Sequence, residues 1–342
     1  MRAAVFHSSD RALSIEEVSA PELRGRDLII AVKCCGICGS DLHAAAMPGA
    51  LPEGCVMGHE FSGEVVEVGP EAIKDFRVGD RVTALPSISC GQCEACLTGD
   101  VMACSQLVVT GLGEEPGAYA EYLRVGSAEA LRLPDGVDFR MGALVEPLAV
   151  GLHAVRSSRL VAGEDVLIVG AGPIGLATAL WARFFGARNI LVQEPVADRR
   201  EMALQMGATA GVDGAAAATA AMADEWSKAG ADVIFECVGV PGLLMECIEL
   251  AAPNSRILVA GVCMQPDTIL PLAAILKQLE LRFVLGYHLD DFQFTLDMMA
   301  AGRIDGNAMV TDVVDLAGLP GAFESLRKPS GQCKVLLEPQ TP

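Results

Sequence analysis

Residues 165–175 read DVLIVGAGPIG. The apolar, β-branched run from Val166 to Val169 ends in glycine, and Gly170, Gly172 and Gly175 then match G-x-G-x-x-G, with Ala171, Pro173 and Ile174 between them. A short apolar run of this kind reads as a strand buried on both faces. Gly170 allows a sharp turn, Gly172 lets a pyrophosphate approach the backbone, and Gly175 lets a helix pack closely on the strand. Residues after Gly175 are rich in Ala and Leu as far as about Phe185 and supply that helix. Its N-terminus offers free N–H groups and a positive dipole end to phosphate. Glu194 closes the next apolar run, NILVQE at 189–194. A carboxylate there can accept hydrogen bonds from both adenosine ribose hydroxyls and would repel a 2′-phosphate, so NAD is expected over NADP. Arg199 and Arg200 follow shortly, and one of them, Arg199 first, is expected to border the adenosine.

Working outward, further apolar runs stand at 230–239 (GADVIFECVG), 255–262 (SRILVAGV) and 281–287 (LRFVLGY), with helical stretches between most of them. Strands alternating with helices imply a parallel sheet covered on both faces. The expected class is therefore α/β, with a doubly wound domain over 149–288. The Ala-rich segment 215–223 is expected to be part loop and part helix within it. Residues 1–148 have another texture. Runs such as Ala3 to Phe6 and Leu28 to Val32, and the segments 61–69, 78–84 and 117–125, read as short strands between polar turns. The first 125 residues are therefore expected to form an irregular all-β unit with metal-rich loops. Residues 289–342 offer a helix (Phe292 to Ala301) and a closing strand, KVLLEP at 334–339, expected to return to the first domain.

Composition narrows the partners. The 342 residues carry 25 Lys plus Arg against 44 Asp plus Glu, a net charge of −19 that disfavours nucleic acid and anionic membranes. No uninterrupted apolar run approaches the roughly 18 residues of a membrane span. The start, MRAAVFHSSD, does not read as a signal peptide, so the cytoplasm is the expected location. In such a chain the 12 cysteines point to metal rather than disulfides.

Two stretches concentrate metal-binding side chains. CGQCEACLTGDVMAC places Cys90, Cys93, Cys96 and Cys104 together. Four thiolates satisfy tetrahedral zinc with no open position, which marks a structural site. Gly91 and Gly99 relieve the tight turns. Residues 36–60, GICGSDLHAAAMPGALPEGCVMGHE, gather Cys38, His43, His59 and Glu60 among glycines. Thiolate, imidazole and carboxylate all bind zinc.

With GICGSDLH, GHE at 58–60, the four-cysteine lobe, VEPLAV at 145–150 and GAGPIG in order, the chain resembles the zinc-dependent medium-chain dehydrogenases, the alcohol and polyol dehydrogenase family. The resemblance runs nearly end to end. It implies a GroES-like catalytic domain, a Rossmann domain, two zinc ions per chain, NAD, and a homodimer or homotetramer. Cys38 and His59 match the constant ligands of the catalytic zinc. Glu146 stands where many alcohol dehydrogenases have a third ligand cysteine, as in the sorbitol, threonine and butanediol dehydrogenase branch. The third ligand is thus open between Glu60 and Glu146; we expect Glu60 to bind at rest and Glu146 to reach zinc through water. Ser40 and His43 match the proton relay of a reversible, NAD-linked alcohol oxidation. Asp41 is expected to orient the loop.

Ala44, Ala45, Ala46 and Met47 suggest an apolar substrate wall. Polyol-oxidising relatives often have arginine before the tyrosine that matches Tyr287, where this chain has Gly286. A secondary alcohol or small diol is therefore expected over a sugar alcohol. Zinc-free double-bond reductases of the family lack the Cys/His pair and the lobe. A non-catalytic NAD-binding relative would have lost a ligand or relay residue, and none is missing here. His7, His153 and His288 read as structural. Cys34, Cys35, Cys55, Cys237, Cys247, Cys263 and Cys333 read as small core residues.

Overall fold

Runs broken by glycine and proline give short elements, and the first part of the chain is built mostly from these, with two longer strands among them. In the computed structural model, which describes residues 1–98, 101–113, 115–328 and 330–340, the strands are β1 (Arg2–Phe6), β2 (Ser14–Glu17), β3 (Asp27–Gly36), β4 (Cys55–Val56), β5 (Glu60–Val68), β6 (Arg81–Ala84), β7 (Ser87–Ile88), β8 (Val108–Val109), β9 (Tyr122–Gly126) and β10 (Ala130–Arg132). Helices α1 (Gly39–Ala46) and α2 (Glu94–Leu97) interrupt them. Helix α3 (Phe139–Ser158) follows and contains Pro147.

Apolar strands and helices then alternate. They are β11 (Asp165–Val169), α4 (Pro173–Phe184), β12 (Asn189–Gln193), α5 (Ala197–Gln205), β13 (Ala210–Val212), α6 (Ala215–Trp226), β14 (Ala231–Glu236), α7 (Leu243–Leu250), β15 (Ala251–Val259), α8 (Pro271–Lys277) and β16 (Glu280–Phe283). All pairings are parallel, in the order β13-β12-β11-β14-β15-β16. The order reverses at β11, the switch point at which doubly wound sheets bind ligands. The strands' apolar faces explain this: Leu167, Ile168, Leu191, Ile234 and Phe235 are all buried. Two readings need correction. The Ala-rich stretch is helix throughout Ala215–Trp226, ended by Ser227 in the left-handed region at φ 54°. The run read from 255 begins its strand at Ala251.

The chain closes with α9 (Leu289–Ala300), β17 (Val310–Val314), α10 (Leu319–Leu326) and β18 (Lys334–Leu337). β18 pairs antiparallel with β3 and parallel with β17, in a sheet ordered β10-β6-β5-β3-β18-β17 with β9 also on β3. Two compact units result. One contains Met1–Glu146, His288–Arg303 and the chain from Val310 onward; the other contains Pro147–Tyr287 and Ile304–Met309. The first packs around Met57, Phe61, Tyr119 and Phe323, with the Tyr119 and Phe323 rings edge to face at 6.4 Å. Among the described residues no helix is long and apolar enough to cross a membrane.

Candidate metal centres and dinucleotide turn

Cys38 ends the extended chain after β3 and caps α1, where its backbone N–H donates to Asp41 Oδ2 at 3.1 Å. That bond folds the loop back, so Ser40 Oγ lies 3.2 Å from Cys38 Sγ and 3.3 Å from His59 Nε2. Asp41 is wholly buried; its Oδ2 also accepts the Tyr119 hydroxyl at 2.6 Å, and its Oδ1 faces His59 Nδ1 at 3.2 Å. The contact is an ion pair without hydrogen-bond geometry, and a carboxylate on that side of the imidazole leaves Nε2 as the nitrogen that could bind a metal. Tyr119 was not anticipated from the sequence.

The ligand atoms of Cys38, His59 and Glu60 all lie within 4.8 Å of one another. Tetrahedral zinc with bonds of about 2.0–2.3 Å separates its ligands by roughly 3.3–3.8 Å, so the donor set fits one ion. The local field fits as well. Burial alone would lower the basicity of His59, yet the charges of Asp41 and Cys38 raise it well above the usual histidine value. The pocket favours a cation.

Glu60 has a partner that the sequence did not reveal. Lys334 Nζ sits 2.6 Å from each Glu60 carboxylate oxygen and 2.9 Å from the Ile37 carbonyl, with both side chains fully buried. An ammonium has three N–H donors, and all three are used. Burial would discharge Lys334, but Glu60, then Cys38 and Glu146, hold its pKa above the ordinary lysine value. Glu146 is buried in α3, near enough for its charge to act there. His43 is exposed in the last turn of α1. The apolar wall is only partly as read: Ala45 turns into the core, while Ala46 and Met47 are exposed.

The second group is Cys90, Cys93, Cys96 and Cys104, again with ligand atoms within 4.8 Å. Cys93 Sγ is 3.5 Å and Cys90 Sγ 3.9 Å from Cys96 Sγ. A ZnS₄ tetrahedron with bonds of about 2.3 Å has edges of roughly 3.8 Å, whereas a disulfide would bring sulfurs to about 2.05 Å. Backbone N–H groups of Gln92 and Cys93 lower the Cys90 thiol; the Cys96 N–H pulls Cys93 the same way, but sharing hydrogen bonds with the thiols of Cys96, Cys90 and Cys104 raises it, so the crowded thiols hold their protons unequally. Arg26 anchors the loop through the Cys90 carbonyl at 2.9 Å, and Gly91 takes the left-handed turn at φ 67°. Gly99 lies outside the described residues.

At the dinucleotide turn, Gly170 has φ 97° and donates to the Gln193 carbonyl at 2.8 Å. Gly172 caps α4, and Pro173 occupies its first turn, where a missing N–H costs nothing. Gly172, Pro173 and Ile174 are half-buried. Glu194 is buried and clamps the turn: Oε2 accepts the Ala171 N–H at 2.8 Å and Oε1 the Val196 N–H at 3.0 Å. Arg199 lies in the first turn of α5. Its neighbour Arg200 donates to the carbonyls of Glu194 at 2.7 Å and Pro195 at 2.9 Å. Glu236, unnoticed in the sequence, does at the end of β14 what Glu194 does after β12, accepting from Val238 and Gly239, each at 2.8 Å.

His7 meets Glu16 at 2.6 Å, and His288 caps α9. Cys34, Cys35, Cys55, Cys247 and Cys333 are buried, and Cys237 is half-buried. Cys263 departs from its core reading: it is exposed in the loop after β15, with its thiol on the Gln265 carbonyl at 3.3 Å.

Residues 24–135 match the family model of the alcohol dehydrogenase GroES-like domain, and 173–301 that of the zinc-binding dehydrogenase. The 2-dehydro-3-deoxy-L-galactonate 5-dehydrogenase of Pseudoalteromonas atlantica is 33% identical over 98% of each chain. The (R,R)-butanediol dehydrogenase of Bacillus subtilis is 33% identical over 99% of this chain and all (100%) of its own. Among solved structures, a zinc-binding dehydrogenase from Sinorhizobium meliloti bound to NADP superposes with a TM-score of 0.88, at 33% identity over 99% of both chains.

Proposed function

The chain belongs to the zinc-dependent medium-chain dehydrogenases, oxidoreductases of alcohols and polyols, and from that premise we propose that it interconverts a secondary alcohol or small diol and its carbonyl product, with NAD as cofactor. The observation that carries the reading is the convergence of Cys38, His59 and Glu60 with the Ser40 hydroxyl beside two of them.

Zinc held by these residues would supply Lewis acidity that acidifies a substrate hydroxyl, and NAD at the Gly170–Gly175 turn would supply the hydride acceptor. The protein's own groups do the rest. Asp41 holds the His59 ring, and Tyr119 holds Asp41. The proton would leave through Ser40 and, by way of the cofactor ribose, reach the exposed His43, which exchanges it with water. Glu60 would bind the metal at rest, and Glu146 would reach it through a water. The four cysteines hold the second, structural zinc.

Glu194 favours NAD because a buried carboxylate at the end of β12 repels an added phosphate. The NADP in the Sinorhizobium structure belongs to that protein. Gly286 in place of arginine, together with the likeness to butanediol dehydrogenase, favours a small alcohol over a sugar alcohol. β16 is an edge strand beside exposed Leu276, Phe283 and Leu285, an arrangement that favours pairing with a second copy as a homodimer or, by further association, a tetramer. Twelve free cysteines suit a reducing compartment such as the cytoplasm.

The test is a reduction screen with NAD and NADP over primary, secondary, cyclic and polyhydroxy alcohols. Turnover concentrated on secondary alcohols or diols with NAD supports the reading. Bound zinc and bound NAD with no turnover on any of them refutes it in favour of a non-catalytic protein.

A further inference from the structure

We propose that Lys334 is a positioning residue for the carboxylate of Glu60, and that Gly36 is the gap through which the two meet. The proposal rests on reading Cys38, His59 and Glu60 as a zinc site. In the sheet β3 lies between β5 and β18. Glu60 opens β5 and Lys334 opens β18, so the pair belongs to strands that are not neighbours. Strands two apart are separated by about 9.6 Å. The two side chains close that distance only by reaching over the strand between them.

The β3 residue opposite Glu60 is Gly36. A Cβ at Gly36 would stand 2.0 Å from Glu60 Oε2, 3.2 Å from its carboxyl carbon and 3.3 Å from its Cβ. Gly36 is not among the glycines with positive φ. Its backbone is one that other residues adopt, so the position requires empty space rather than conformational freedom. Any side chain there would displace the carboxylate that Lys334 holds.

The bracket has a consequence for the metal. Lys334 is fully buried with its donors on Glu60 and Ile37, so Glu60 is its charged partner. Sharing its charge with an ammonium makes Glu60 a weaker and more readily exchanged ligand than a free carboxylate. An oxygen that leaves the metal is still hydrogen-bonded by Lys334. Glu60 can therefore give up its place and recover it without a buried, unpaired charge. Lacking Lys334, the carboxylate would have the metal as its remaining cation and would stay on it.

The experiment measures release of the catalytic-site metal to a chelator, the visible spectrum with cobalt(II) in that site, and the thermal midpoint. It uses the wild type, Lys334→Met, Lys334→Arg and Gly36→Ala. Lys334→Met should slow metal release by about tenfold or more, the scale of changes around a metal's ligands, and should alter the cobalt spectrum. Lys334→Arg keeps a cation that pairs bidentately with a carboxylate, so release should return towards the wild-type rate. Gly36→Ala should shift release in the same direction as Lys334→Met. Adding Glu60→Gln should abolish both effects. A Lys334→Met protein that is merely less stable, with wild-type release and spectrum, overturns the proposal alone. An effect that persists with Glu60→Gln does the same. If Lys334→Met does not fold, unchanged release in Gly36→Ala overturns it. A wild type whose tightly held zinc is confined to the four cysteines overturns the zinc-site reading and the proposal with it.

Discussion

Adding one methyl group to the dinucleotide turn should do different damage at Gly175 and at Gly172. A Cβ at Gly175 would lie 1.9 Å from the Gly170 carbonyl oxygen and 3.5 Å from Ile168 Cγ2. Ordinary contact begins near about 3.4 Å, so α4 would have to retreat by roughly 1.5 Å from the turn on which it rests. The obstacle is backbone and cannot swing aside. Overpacking costs about 1–3 kcal/mol, and this case belongs at the upper end. In a domain of this size each 1 kcal/mol is worth roughly 2–4 °C, so Gly175→Ala should lower the melting temperature by roughly 6–12 °C. At Gly172 a Cβ meets nothing within 4 Å, and the backbone, at φ −71° and ψ 178°, suits alanine. Stability should change by less than about 0.5 kcal/mol. The methyl would instead fill the space that a pyrophosphate enters, and NADH affinity should fall about tenfold or more, at least about 1.4 kcal/mol. Thermal melts with and without NADH, with a calorimetric titration, separate the two. In Gly172→Ala the rise in melting temperature with ligand should shrink while the ligand-free value holds. Equal losses of stability in both variants, or full NADH affinity in Gly172→Ala, would refute the assigned roles.

Metal analysis should find two zinc ions per chain, and Cys93→Ser should lose one of them together with stability; unchanged zinc and stability would sink the structural site. Glu194→Ala should narrow the preference for NAD, read as the ratio of kcat/KM for the two cofactors, and should also lower the melting temperature because the Ala171 and Val196 N–H groups lose their acceptor. Glu146→Gln should keep most of the catalytic zinc while losing about 10–100-fold in activity; loss of that zinc would make Glu146 a direct ligand. At the start of β11, burial would raise the pKa of Asp165, but hydrogen bonds from Arg188, Lys228 and Asn189 prevail and lower it. A carboxylate with a depressed folded pKa contributes stability above its unfolded pKa and loses it as pH falls through the folded one. Asp165→Asn should therefore be less stable at neutral pH, with the deficit shrinking on acidification below the usual carboxylate range; denaturant melts across that range read it directly.

What was legible in the sequence was local. The run DVLIVGAGPIG carries its strand, its turn and its helix start within one window, and the close spacing of Cys90, Cys93 and Cys96 leaves their thiols little choice but to converge. Cys38, Ser40 and Asp41 were within reach for the same reason. Lys334 was not: a lysine in an apolar closing run reads as an edge residue until the sheet places it two strands from Glu60. Asp41 was read as a loop residue, and its hold on His59 depends on Tyr119, from a distant loop. β13 is three residues long and has little pattern to find. Ala45 was assigned to the substrate wall because alanine fits an exposed or a buried helix face equally well.

The position of β18 has a consequence for how the chain is made. The first unit's sheet is split in the sequence by the entire second unit, and β18 fills the place between β3 and β17. A ribosome delivers every strand of the parallel sheet, Asp165 to Phe283, before Lys334 exists. The four cysteines leave it together, so any ion they hold could be loaded while synthesis continues. Glu60 must wait for a partner 274 positions later, an interval of roughly 15–55 s at about 5–20 residues per second. Until then Glu60 lacks the lysine that holds it, so a metal arriving early at Cys38 and His59 would meet a carboxylate not yet bracketed.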